Sequence, residues 1–208
     1  MRIKLALSLF MIVMISGCYK DPLYNELSSN FTVSTNRDLA ANYNSYKTYH
    51  ISDTIAFLNN SSQDSMIVGN DAKLMVDAVK NNLNARGYTY VSRNSKPDLG
   101  ISMIAIKNVQ AGVIYPGWWY GGYYGWWGGY WGGYYPYYPY GVPYVVTSGN
   151  VVIDMLDLKN APTEEKYNVL WTAWVGGGLA TTTSVNIQLS VDAINQAFVQ
   201  SPYINANQ

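Results

Sequence analysis

The sequence predicts an α+β fold: a single sheet of about six mostly antiparallel strands, two amphipathic helices packed on one of its faces, and a long aromatic insertion loop. Three observations predict it. Short runs rich in β-branched and aromatic residues recur along the chain. Two other stretches carry apolar residues at helical spacing. Those two stretches do not alternate strictly with the strands, which favours helices segregated on one face of a sheet.

The elements follow in order. Phe31-Thr32-Val33-Ser34-Thr35 alternates apolar and polar, as a half-buried strand does. A second strand fits residues 47–51, and residues 55–63 read as an Asn/Ser-rich loop. From about 65 to 86 the period becomes helical. Ala72, Met75, Val76, Val79 and Leu83 share one face, opposite Lys73, Asp77, Lys80 and Asn84. Arg86-Gly87 closes that helix, with a cation in the last turn and a glycine for the left-handed cap.

Residues 88–91 and 98–106 then read as strands, the second apolar enough for the middle of a sheet. Residues 151–156 and 168–175 give two more, joined through Pro162 and Glu164-Glu165-Lys166. After Gly176-Gly177-Gly178 and a threonine run, Ile187, Val191, Ile194 and Phe198 space the buried face of a last helix, with Pro202 beyond its end. The expected core unites Val79, Leu83, Ile187, Val191 and Ile194 from the helices with Ile101, Met103 and Val169 from the strands.

Residues 1–17 read as a signal peptide: Arg2 and Lys4, an apolar run too short to span a bilayer, then small residues. Cys18, the only cysteine, follows at once, in an arrangement that resembles a bacterial lipobox. The cysteine would take a diacylglycerol on its thiol and, after cleavage of the bond before it, become the N-terminal residue, with residues 18–30 as lipidated Cys and polar tether and 31–208 as the folded domain. Two or three acyl chains give stable attachment to a membrane without a transmembrane helix. Tyr19, where an Asp would retain a lipoprotein at the inner membrane, favours outer-membrane sorting. Lipidation would leave no thiol for a disulfide or a nucleophile, so the domain must stand on its hydrophobic core.

Residues 115–144 are of low complexity: 11 Tyr, 5 Trp, 9 Gly, 4 Pro and one Val. Eleven hydroxyls and a backbone broken by Gly and Pro oppose a membrane span. The segment is expected to be an insertion loop projecting from the sheet, or packing its rings on one another or on the sheet. Trp118, Trp119, Tyr123, Tyr124, Trp126, Trp127, Trp131, Tyr134 and Tyr135 are the candidate contact residues. Such rings stack on sugars, sit at membrane interfaces and serve adaptable protein-binding loops. The expected reading is therefore a non-enzymatic lipoprotein whose loop contacts an envelope protein, or peptidoglycan or another polysaccharide. The alternative is a membrane-apposed structural lipoprotein with the loop at the lipid interface.

The chemical inventory is sparse. Removing residues 1–17 takes Arg2 and Lys4 from 13 basic residues and leaves all 13 acidic ones, and no Lys/Arg cluster remains to bind nucleic acid. His50 is the sole histidine and reads as a surface or half-buried structural residue. One His and a lipidated Cys cannot build a zinc site, and no cofactor fingerprint or nucleophile elbow occurs. Asp154 and Asp157 would point to opposite faces of a strand, which disfavours a paired acid–base role, and read as marking a strand end and turn. No catalytic residue is assigned, and a carbohydrate hydrolase is the weakest of the function classes. Asp53-Thr54-Ile55 and Asp64-Ser65-Met66 resemble O-glycosylation sites that some bacteria use on exported proteins, with Thr54 and Ser65 as acceptors. Turn and N-cap chemistry accounts for the same residues.

Several motifs in order resemble one family. Tyr46-Lys47-Thr48-Tyr49 fits its early strand, and Leu83-Asn84-Ala85-Arg86-Gly87-Tyr88 its helix end. Pro97-Asp98-Leu99 fits the entry to its central strand. Val151-Val152-Ile153-Asp154-Met155-Leu156-Asp157 and Val169-Leu170-Trp171-Thr172-Ala173 fit the strands after an aromatic insertion. Together they resemble the bacterial lipoprotein family known as domain of unknown function 4136. Where that family usually has Arg-Gly after the strand Trp, this chain has Thr172-Ala173. The resemblance implies an α+β envelope lipoprotein, with no assigned activity and no catalytic residues to carry over.

Overall fold

The structure, a computed structural model, describes residues 32–58, 65–106, 112–114, 133–140, 144–146, 150–176 and 187–207. The fold is α+β, with a mixed, mostly antiparallel sheet of nine strands among these residues. Its spine is four long strands: β1 (Thr32–Arg37), β11 (Tyr167–Gly176), β10 (Asn150–Asp157) and β6 (Leu99–Ile106). They lie side by side in that order and run antiparallel. β6 and β10 pair along their whole length, from Leu99 opposite Asp157 to Ile106 opposite Asn150. Every residue of both is buried, as the continuous apolar runs require.

The far edge of β6 is split between two strands. β2 (Thr48–Ile51) lies parallel to its first half and β3 (Ile55–Leu58) parallel to its second. β5 (Thr89–Tyr90) pairs with β2, and β4 (Ser65–Ile67) pairs antiparallel with β3. Six strands match the six expected from sequence. The additional three are β3, β4 and β8 (Pro136–Tyr137), which pairs with β11. The expected loop at 55–63 is therefore strand over its first four residues. Ile55 and Ala56 are fully buried, and burial in the sheet outweighs the loop character of the Asn and Ser that follow. Likewise, the expected first turn of the helix at 65 is strand β4. A separate ribbon joins β7 (Gly112–Ile114) to β9 (Tyr144–Val146).

Helix α1 (Gly69–Ala85) buries the predicted stripe of Ala72, Met75, Val76, Val79 and Leu83, and Ala78 beside it. It ends in a Schellman cap: the Tyr88 N–H donates to the Leu83 carbonyl and the Gly87 N–H to that of Asn84. Gly87 supplies the positive φ, and the buried Leu83 and Tyr88 sit at the two positions whose apolar contact accompanies this cap. A short helix α2 (Ala161–Glu164) follows β10, where only a connection was expected. Helix α3 (Ile187–Val199) packs on α1, with Asn82 donating to Asn195 at 2.7 Å and the Arg86 guanidinium to the Phe198 carbonyl at 2.9 Å. Trp171 lies 5.1 Å from the Phe198 ring and donates to Ser201, tying the last helix to the middle of the sheet.

Both long helices contribute to one core on one face of the sheet, with Val79, Leu83, Ile101, Met103 and Ile194 fully packed and Ile187 and Val191 at its margin. Val169 departs from the expectation: it belongs to a second cluster on the opposite face. A β-bulge is the reason. Trp171 opposes Met155 while Val169 opposes the very next residue, Leu156, so Leu170 is an extra residue in β11. The alternation expected from Trp171, Ala173 and Val175 is reversed before the bulge, and Tyr167 and Val169 turn to the other side. No helix among the described residues is long and apolar enough to cross a membrane.

Candidate functional site

The second face of the sheet carries a row of polar residues. Register places Ser102 of β6, Asp154 of β10, Thr172 of β11 and Asn36 of β1 side by side across four strands. Ser102, Asp154 and Thr172 are buried. Asp154 stands mid-strand, not at the strand end expected from its sequence, because β10 continues to Asp157. Its two oxygens are both engaged: Thr172 donates to Oδ1 at 2.6 Å and Tyr138 to Oδ2 at 2.8 Å. Tyr140 lies 2.9 Å from Thr172 Oγ1. Because the single hydroxyl proton of Thr172 points at Asp154, Tyr140 must donate in that contact. A buried carboxylate is costly without such partners, and here two donors, one backed by a third hydroxyl, solvate it in place of water.

Those tyrosines come from the aromatic segment. Residues 133–140 run extended over the second face, and β8 pairs in parallel with the start of β11. The Tyr167 N–H donates to the Tyr135 carbonyl at 2.9 Å. Successive residues alternate between the two sides. Tyr134, Tyr138 and Tyr140 pack against the second apolar cluster, while Tyr135 and Tyr137 are 64% and 50% exposed. The Tyr134 ring meets Tyr167 edge-on at 5.5 Å, Tyr138 meets Tyr140 in the same manner at 6.1 Å, and Lys166 Nζ sits 4.4 Å over the Tyr137 ring. This part of the predicted insertion is thus applied to the sheet and does not project from it. Residues 134–140 repeat Tyr-Tyr-Pro with a period of three, so the alternation of sides leaves no trace in residue type.

Beside Tyr134 a pocket of about 520 Å³ opens. Its floor is Pro97, Leu158, Ala161, Pro162 and Tyr167, and Arg93, Lys96, Asp98 and Lys159 bring charge to it. Asp98 anchors the surrounding loops: its carboxylate accepts the N–H groups of Lys47 and Thr48 at 2.7 and 3.0 Å, and its carbonyl those of Leu158 and Lys159. Lys159 Nζ donates to the Ser45 carbonyl at 2.8 Å. Nothing in the sequence pointed to this pocket, since its walls come from three distant stretches.

The other predicted positions scatter. Tyr134 and Tyr135 fall at the site. Cys18, Trp118, Trp119, Tyr123, Tyr124, Trp126, Trp127 and Trp131 lie outside the described residues. Thr54 sits in the break between β2 and β3, where its N–H donates to Ser52 Oγ and the two hydroxyls are 3.0 Å apart. Its neighbour Asp53 pairs with Lys80. The Ser65 backbone lies in β4 opposite Phe57. His50 is buried, with Nδ1 2.9 Å from the Val91 carbonyl and its ring stacked on Tyr90, a structural role on the β2–β5 edge. Asp157 faces the helix-covered core, where Tyr46 donates to it at 2.9 Å and Asn160 holds it through both backbone and side chain. Asp154 and Asp157 therefore do sit on opposite faces and form no pair.

A comparison with curated proteins gave no match. Among solved structures, the chain is similar to a DUF4136 family protein from Bacteroides thetaiotaomicron, at 30% identity and a TM-score of 0.72, over 86% of this chain and all of that one. A weaker likeness, at 17% identity and a TM-score of 0.44, links 84% of the chain to 36% of a PDZ domain protein from Parabacteroides distasonis. The family model for the domain of unknown function DUF4136 matches residues 33–203. Nearly the whole folded unit is covered by that match, and the chain belongs to the DUF4136 family.

Proposed function

We propose that this is a non-enzymatic cell-envelope lipoprotein, held at the outer membrane through Cys18, whose aromatic segment contacts an envelope protein or glycan. The observation that carries the reading is the alternation at 133–140. Inward tyrosines fix the segment to the sheet, and Tyr135 and Tyr137 between them face outward. Rings carried on a fixed backbone bind at lower entropic cost, because less chain freedom remains to be lost on contact. In this reading the uncharged 115–144 stretch, with its remaining tryptophans and tyrosines, forms the rest of the contact surface. Thr54 and Ser65 are secondary candidates for O-glycosylation.

The test is retention of the detergent-purified chain on isolated sacculi, against flotation with liposomes. Retention that falls when Tyr135 and Tyr137 are both changed to Ser supports the glycan contact. Flotation of a Cys18→Ser chain with liposomes, without sacculus binding, would instead favour a loop lying at the lipid interface.

A further inference from the structure

We propose that the pocket beside Tyr134 binds a small carboxylated sugar, with the acid group at its cationic rim and the pyranose ring against Tyr134 and the Pro97–Ala161 floor. The choice of a sugar acid rests on the envelope-glycan reading above; the demand for an anion rests on the pocket alone. Its volume of about 520 Å³ falls within the range of about 300–1,000 Å³ usual for small-molecule sites. Such sites combine an apolar floor with a few placed polar groups, and this one has that division.

The charge balance points to an anion. Arg93, Lys96 and Lys159 stand against one carboxylate, Asp98, which already accepts two backbone N–H groups. Lys159 is steadied by its bond to the Ser45 carbonyl, which takes only one of its three N–H donors. The same ammonium lies 5.9 Å over the Tyr46 ring, so the side chain is held at the margin of the pocket.

Lys96 supplies a second, independent observation. Its backbone is left-handed, at φ 52° and ψ 64°, and it directly precedes Pro97. A lysine is disfavoured in that region, and a residue before proline is pushed toward extended conformations. Strain of this kind, of the order of 1–3 kcal/mol, persists only where the surroundings impose it, and it clusters at ligand sites. Here it fixes the chain reversal that carries Lys96 to the pocket wall.

The experiment titrates the detergent-purified full chain with N-acetylmuramate, N-acetylglucosamine and inorganic phosphate, by calorimetry and ligand-observed NMR. The two sugars share a ring and differ by a carboxylated arm. N-acetylmuramate should bind saturably, at least tenfold more tightly than either N-acetylglucosamine or phosphate. Lys96→Glu and Lys159→Glu should each weaken it at least tenfold, and added salt should weaken it further. Both side chains are on the surface, so the variants should melt with the parent chain; Lys96→Gln and Lys159→Gln, expected to weaken binding less but measurably, replace any that does not. Equal affinity for the two sugars, phosphate binding as tight as the acid, or an affinity unmoved by both lysine changes overturns the proposal. Sacculus retention that persists while N-acetylmuramate fails to bind overturns the pocket and leaves the aromatic contact standing.

Discussion

Tyr138 donates its hydroxyl to the buried Asp154 carboxylate at 2.8 Å and so clamps the aromatic segment onto the second face of the sheet. Thr172 completes the pair of donors from the neighbouring strand. Leaving a buried acceptor of this kind without its donor costs about 1–3 kcal/mol, because no water takes the donor's place. Tyr138→Phe removes the donor and keeps the ring. We expect it to lower unfolding free energy by about that amount in a urea titration. An unchanged midpoint would mean that the hydroxyl does not hold the carboxylate.

The helix-covered face should respond to truncation. Leu83 and Ile194 are fully buried on two helices that pack against each other over the same part of the sheet. Leu83→Ala and Ile194→Ala should each cost about 2–5 kcal/mol in denaturant unfolding, the range for a cavity left in a close-packed core. Losses below about 1 kcal/mol would show that the two helices yield to fill the gap.

Much of that face was legible in the chain. The stripe of Ala72, Met75, Val76, Val79 and Leu83 follows from helical period, and Arg86-Gly87 announced the cap that Leu83, Asn84 and Tyr88 complete. The two apolar runs at 98–106 and 151–156 were legible as strands, and the structure pairs them as β6 and β10. The second face was less legible, for physical reasons. The extra residue at Leu170 leaves no compositional trace, yet it reverses the side on which Tyr167 and Val169 lie. The row from Ser102 through Asp154 to Thr172 depends on cross-strand register between residues 18 to 52 positions apart. Ile55–Leu58 is too short to outweigh the polar run after it until β6 is present to pair with it.

Alkaline pH should destabilise the domain through its buried tyrosines. Burial raises the pKa of Tyr43, Tyr46, Tyr49 and Tyr88 well above the ordinary value of about 10, and the charge of Asp157 adds to the effect at Tyr46. In the folded state these phenols keep their protons where the unfolded chain would lose them. Their contribution is complete below pH of about 10 and declines as pH rises toward the folded-state values. Urea midpoints should therefore hold from pH 7 to about 9 and fall steadily above about 10, with tyrosinate absorbance rising in step with unfolding. Midpoints flat to pH 12 would contradict the burial of these hydroxyls.

Lipidation is tested by a single change. Cys18→Ser removes the only thiol of the chain. The variant should leave the membrane fraction for the soluble one after cell lysis and fail to incorporate labelled palmitate. A variant that stays membrane-bound through high salt would show that another part of the chain holds it there.

The aromatic segment itself divides by side. Tyr134, Tyr138 and Tyr140 pack on the second apolar cluster, whereas Tyr135 and Tyr137 face outward between them. Truncating an inward ring uncovers apolar sheet surface. Tyr134→Ala or Tyr140→Ala should therefore cost about 1–3 kcal/mol, on the scale of burying a large side chain. Tyr135→Ser and Tyr137→Ser should stay within about 0.5 kcal/mol of the parent, as exposed positions do, while reducing sacculus retention. Replacing all of 115–144 by a short turn then has a definite expected result. Loop closure between β6 and β10 becomes slightly easier, since its entropy varies only with the logarithm of length. The loss of Tyr134, Tyr138 and Tyr140 outweighs that gain, because Asp154 and the second cluster are laid open to water. The shortened chain should fold less stably and bind a hydrophobic dye. A shortened chain as stable as the parent would show that residues 133–140 contribute nothing to the second core.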